Sequence, residues 1–140
     1  MKNEYSIATV VIYDKEYLLL KYELGHWGFV KGNKEKGETP KETIMRELKE
    51  ETGITDAQII QNFEHEYEYY YKLKGDSIHK FVKCLLIKSK TKEVQLSYEH
   101  VDYAWLTFEE ALERLSHKNT RKILKKAKKF LSTRLDRFLN

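Results

Sequence analysis

The 140-residue chain has one cysteine, one proline and six glycines. A lone cysteine excludes an intrachain disulfide, and a reducing cytoplasm is the expected setting. Cys84 lies in the apolar run FVKCLLI, where a small core residue is expected rather than a nucleophile. No apolar run approaches the ~20 residues that a bilayer span needs, so no membrane partner is expected. The first residues, MKNEYSIATVVIYDKEY, lack a signal-peptide pattern, because their short apolar run is β-branched and charges follow at once. Repeats, low-complexity tracts and linkers are also missing, which predicts a single domain over residues 1–140. What is present is a globular mixture, with 41% hydrophobic and 34% charged residues. The formal charge of +4 favours anionic partners.

Strand-like segments precede each helical stretch of the chain. YSIATVVIY (5–13) is apolar at nearly every position, with Ala8, Val10 and Ile12 on one face and Ile7, Thr9 and Val11 on the other. A strand apolar on both faces predicts helices on both sides of its sheet, an α/β (α+β) sandwich. EYLLLKY (16–22) follows a two-residue turn and predicts a hairpin partner. GHWGFVKG (25–32) reads as a short strand, 57–73 as a long tyrosine-rich one, 78–88 as its partner and 103–107 as another. Tyr103 and Trp105 alternate on this last strand and predict core packing. Thr107 with Glu110 forms a capping box that opens a helix over 108–116. A final helix from about 120 carries Ile123, Ala127, Phe130, Leu131, Leu135 and Phe138 at helical spacing. Its lysine run, 121–130, reads as the wet face of an amphipathic helix.

The acids are unevenly spread. Within GNKEKGETPKETIMRELKEETGI (32–54), Thr39, Pro40 and Glu42 supply an N-cap, a proline at the first helical position and a capping-box glutamate, and Gly53 ends the helix. At 100° per residue, Ile44, Met45 and Leu48 share an apolar face, and Glu47, Glu50 and Glu51 fill the adjoining arc. Glu47 and Glu51, four residues apart, repel by a few tenths of a kcal/mol. Hard carboxylate oxygens on one helix face suit Mg²⁺ or Mn²⁺, and a divalent cation would offset the repulsion.

Residues 32–54 fit G-x5-E-x7-R-E-u-x-E-E-x-G-u, with u apolar, at Gly32, Glu38, Arg46, Glu47, Leu48, Glu50, Glu51, Gly53 and Ile54. This resembles the Nudix signature. The resemblance implies a mixed sheet between helices and hydrolysis of nucleoside diphosphates linked to another moiety. It implies Glu47, Glu50, Glu51 and the Gly32 carbonyl as metal ligands, Arg46 as an orienting arginine and Glu38 as support for the loop.

The flanks narrow the likeness. WGFVKGNKEKGE (27–38) is similar to W-x-x-P-K-G-H-x-E-x-G-E of the asymmetric diadenosine-tetraphosphate hydrolases, and 93–111 resembles their S-x-E-H-x-x-Y-x-W-L-x-x-x-E-A. This implies Glu99 as a further metal ligand or general base, with Glu47 the other candidate base. It also implies Lys31 and Lys80 at phosphate, and Tyr69 at the base, where Tyr67 and Tyr71 share its face. His100 is expected to be structural, and Trp27 to pack the base of the loop. Val30 and Asn33 depart from the usual proline and histidine, and Cys84 and Leu85 from an aromatic pair. The implied activity is Mg²⁺-dependent cleavage of diadenosine tetraphosphate to ATP and AMP. An RNA 5′ end is the alternative substrate, through RNA 5′-pyrophosphohydrolase activity, and other nucleotide pyrophosphatase activities come next. A non-catalytic binding module fits least, because each signature acid is kept.

Overall fold

A computed structural model describes the backbone of residues 1–139 and the side chains of residues 1–134. β1 (Lys2–Tyr13) organises the sheet, running parallel to β7 (Asp76–Ser89) from Lys2 opposite Ile78 to Ile12 opposite Lys88. On its other side β1 meets β2 (Glu16–Tyr22) only at the hairpin end, through Ile12 and Tyr13. β2 then diverges to pair with β8 (His100–Leu106) and with β3 (Trp27–Gly28). The place that β2 leaves beside Ser6–Thr9 is filled by β4 (Val30–Asn33). β5 (Ala57–Ile59) and β6 (His65–Leu73) both pair with β7, at opposite ends.

Both faces of this mixed sheet are covered, as the two-faced β1 predicts. Ala8, Val10 and Ile12 join a core with Cys84, Leu86, Leu115, Leu124 and Ala127, under α2 (Phe108–Arg114) and α3 (Lys118–Leu139). Ile7 and Val11 join the opposite core with Leu18, Leu20 and Leu85, against Ile44 and Leu48 of α1 (Pro40–Thr52). Cys84 is 1% exposed, and burial lifts its thiol pKa to about 12. On α3, Ile123, Leu124 and Ala127 point inward while Lys122, Lys125, Lys128 and Lys129 are exposed. Leu135 and Phe138 lie outside the described side chains. Among the described residues no helix is long and apolar enough to cross a membrane.

Three expectations need correction. The tyrosine-rich segment is two strands, because Asn62 adopts a left-handed φ of 73° and the chain turns there. The segment 25–32 splits as well, since Trp27–Gly28 pairs with β2 and Val30–Asn33 with β1, leaving Phe29 buried at the crossing. On β8, Trp105 packs against the α1-side core as expected, but Tyr103 is 37% exposed.

Candidate active site

α1 is set by short-range chemistry at both ends. The Thr39 hydroxyl accepts from the Glu42 amide at 3.2 Å, and the Glu42 carboxylate accepts from the Thr39 amide at 2.9 Å. Gly53, at φ 74°, closes the helix by donating to the Lys49 carbonyl. So fixed, the helix lays Glu47 across β4 at Gly32, where a Cβ would stand 2.0 Å from the Glu47 carboxylate carbon. Only a glycine leaves room for that crossing.

Arg46 holds the loop before the helix. Its Nε donates to Glu38 at 2.6 Å, and its Nη2 donates to Glu38 at 3.0 Å and to the Asn33 carbonyl at 3.2 Å. Its Nη1 reaches Glu47 at 2.8 Å and Glu50 at 3.2 Å. Glu38 also accepts from Thr43 and from the Glu35 amide, so it braces the loop from both ends. The Arg46 hydrogen bond holds the Glu38 carboxyl at a pKa of about 2. The Asn33 side chain accepts a 2.6 Å hydrogen bond from the Ser6 hydroxyl.

Glu51 sits deeper than a helix-edge acid should, at 4% exposure. Burial first, and then the Glu47 carboxylate, push its pKa far above the usual carboxylate range. Its Oε1 has no hydrogen-bond partner, and neither has the buried Nε2 of His100, 3.6 Å away. That separation is too long for a hydrogen bond. His100 is oriented from its other nitrogen, which lies 3.2 Å from the Ser97 hydroxyl. The Ser97 amide in turn donates to the Glu51 carbonyl, tying the loop with exposed Glu99 to the end of α1. Glu99 lies close enough for its charge to raise the pKa of Glu51 and of Tyr22.

These donors fit a hard divalent cation. Glu47, Glu50 and Glu51 present carboxylate oxygens, one of them buried and unpartnered, beside a glycine that admits close approach. Among the described residues no three such side chains converge on one point. Arg46 takes one oxygen each from Glu47 and Glu50.

On the α3 side of the sheet, the same strand opens into a cleft of about 470 Å³. Lys31, Tyr67 and Tyr69 line it, with the Tyr67 and Tyr69 rings 6.2 Å apart and near parallel. Burial, and after it the charge of Lys80, lower the Lys31 pKa. Lys80 sits opposite Tyr69 in the register and lies 3.8 Å from Glu4. Tyr71 stands apart from the cleft and donates its hydroxyl to Glu4. Trp27 does not merely pack the base of the loop: it lines the cleft beneath the Arg114 guanidinium, 4.7 Å from the ring centre.

Three cleft residues escape a linear reading of the chain. Tyr22 donates to the Phe29 carbonyl at 2.5 Å and stacks on His26 at 4.7 Å, while His117 meets His26 edge-on at 5.2 Å. They meet because α3 begins beneath the β2–β3 turn, and no local periodicity encodes that approach. Fold and site together define a basic, ring-lined cleft beside a row of hard oxygen donors.

The comparisons with known proteins agree with that description. The NUDIX domain model matches residues 4–127. The asymmetrical bis(5′-nucleosyl)-tetraphosphatase of Mus musculus is 36% identical over 120 residues, 83% of this chain and 80% of that protein. Its counterpart from Caenorhabditis elegans is 34% identical over 133 residues, 89% of this chain and 95% of that protein. Among solved structures, a C. elegans Ap4A hydrolase binary complex superposes with a TM-score of 0.81 at 29% identity, covering 93% of this chain and 98% of that one. The chain belongs to the Nudix family.

Proposed function

We propose that this chain, acting as a single domain, hydrolyses diadenosine tetraphosphate to ATP and AMP. The observation that carries the reading is the adjacency of the acid row on α1 to the Lys31–Tyr67–Tyr69 cleft, on either side of one strand. The near-full-length likeness to two asymmetrical tetraphosphatases supports it. Glu47, Glu50, Glu51, Glu99 and the Gly32 carbonyl are the ligands for Mg²⁺, with Mn²⁺ the alternative. When bound, the cation neutralises phosphate charge and acidifies water.

The chain's own groups supply the rest. Lys31, which lines the cleft, and Lys80, opposite Tyr69 on the neighbouring strand, take the polyphosphate. Tyr69 or its neighbour Tyr67 stacks on a base and so sets which phosphorus meets the attacking water. Glu99 or Glu47 accepts the proton of that water as its oxygen bonds to phosphorus and the bridging P–O bond breaks toward ATP. Arg46 is a positioning residue, since its guanidinium is spent on Glu38, Glu47, Glu50 and the Asn33 carbonyl. The lone buried thiol suits a reducing cytoplasm.

The test is a product assay with Mg²⁺ across diadenosine polyphosphates, dNTPs, ADP-ribose and triphosphorylated RNA. Diadenosine tetraphosphate in ¹⁸O-water should give ATP and labelled AMP. Two ADP molecules as the main products, or faster turnover of the RNA 5′ end, would contradict the reading.

A further inference from the structure

Two buried polar atoms face each other at the deep end of the acid row without a hydrogen-bond partner. They are Oε1 of Glu51 and Nε2 of His100, on side chains 5% and 1% exposed, and they stand 3.6 Å apart. Burying such atoms unpaired costs free energy, so their meeting calls for a physical reason. The His100 ring has little freedom to turn away. Its Nδ1 lies 3.2 Å from the Ser97 hydroxyl, the His100 amide donates to the Ser97 carbonyl, and the Tyr22 ring packs edge-on with centroids 4.7 Å apart. The Ser97 and Gln95 amides donate to the Glu51 and Thr52 carbonyls. The loop that leads to the imidazole is thus strapped to the same turn of α1 that carries Glu51.

We infer that His100 is a positioning residue for the metal site: its Nε2–H holds Oε1 of Glu51 and leaves the other carboxylate oxygen to the cation. The inference rests on the proposed role of Glu51 as a ligand. A carboxylate that ligates a cation is ionised and can only accept, so the ring nitrogen facing it must carry the proton. The Ser97 hydroxyl can donate as well as accept, and it satisfies that tautomer by donating to Nδ1. A closure of about half an ångström brings Nε2 and Oε1 within hydrogen-bond range. Held at one oxygen, Glu51 keeps a single orientation beside the Glu47 carboxylate that repels it. A ligand fixed in this way before the cation arrives raises affinity, because less of its freedom is lost on binding.

The experiment measures binding of Mn²⁺ alone, from the free-ion signal in electron paramagnetic resonance, with no nucleotide present. His100→Phe keeps a flat ring in the site but has no donor, and its Kd for Mn²⁺ should rise about tenfold or more. His100→Gln places an amide N–H near the position of Nε2 and should recover most of that loss. A wild-type Kd in His100→Phe, or equal losses in the two variants, overturns the inference. Should either variant fail to fold, ¹⁵N-histidine spectra of the wild-type protein with Mg²⁺ decide: the Nε2–H tautomer of His100 is expected, and the Nδ1–H tautomer overturns the inference. Wild type that binds no Mn²⁺ overturns the metal site and this inference together. Wild type that binds Mn²⁺ as expected but leaves diadenosine tetraphosphate intact strikes the proposed substrate alone.

Discussion

A Cβ on Gly32 would meet the Glu47 side chain at 2.0–2.5 Å on three atoms. The neighbour is a side chain and not backbone, so a methyl group displaces Glu47 rather than unfolding β4. Gly32→Ala should therefore cost little stability, within about 1 kcal/mol by urea denaturation. It should lower kcat by roughly two orders of magnitude, because an ångström of misplacement at a reacting centre is that costly. A large loss of stability with normal kcat would show that the glycine serves the strand and not the acid. Glu38 gives a second prediction at the same scale. Its carboxyl titrates near 2 in the folded chain against an ordinary 4.5, held down chiefly by Arg46. A lowered folded pKa contributes stability that is present above about 4.5 and is lost as pH falls toward 2. The Tm gap between wild type and Glu38→Gln should be widest above pH 5 and close below pH 3. A gap independent of pH would mean that packing, not charge, holds the loop.

Among the elements, α1 was the most legible in the sequence. Its caps, its apolar arc and its acid arc are all set by residues within one or two turns of one another. The break between β5 and β6 was not, since both halves have strand composition and only the backbone at Asn62, with φ 73°, divides them. The physical reason for a turn there is Phe63, 2% exposed, which enters the core under α3 and pulls the chain away from β7. Asn62→Val should accordingly destabilise by about 1–2 kcal/mol, the cost of a β-branched residue at positive φ, and Asn62→Gly should be near neutral. Equal stability of the two variants would contradict the left-handed turn. The cleft divides in the same way. The resemblance pointed to Lys31 and Tyr69, which line the cleft, and to Lys80, which does not, whereas Tyr22, His26 and His117 belong to elements whose meeting only the packing of α3 decides. The depth of Glu51 was also hidden, because a helical wheel places it at an edge and His100 on β8 closes over it.

At the scale of the molecule, the two cores lie on opposite faces of one sheet and share β1 and β7 as their common wall. Ile7 and Ala8 are successive residues of β1, yet one packs toward α1 and the other toward α3. Neither core survives loss of that wall, so the chain should unfold as one cooperative unit. Two side chains report the cores separately. Cys84 is buried on the α3 side with its thiol pKa raised to about 12, so it resists alkylation until that side opens. Trp105 packs on the α1 side and donates its indole N–H to the Lys92 carbonyl at 3.0 Å. In a Trp27→Phe background, Trp105 fluorescence and Cys84 alkylation followed across a urea series should give coincident midpoints. Mg²⁺ should raise both midpoints together, because a ligand held by the folded site stabilises whatever unfolds with it. If Cys84 becomes reactive at lower urea than Trp105 reports, α3 opens as a separate unit. The cleft, which the start of α3 helps to line, would then be gated by that opening rather than held ready by the sheet.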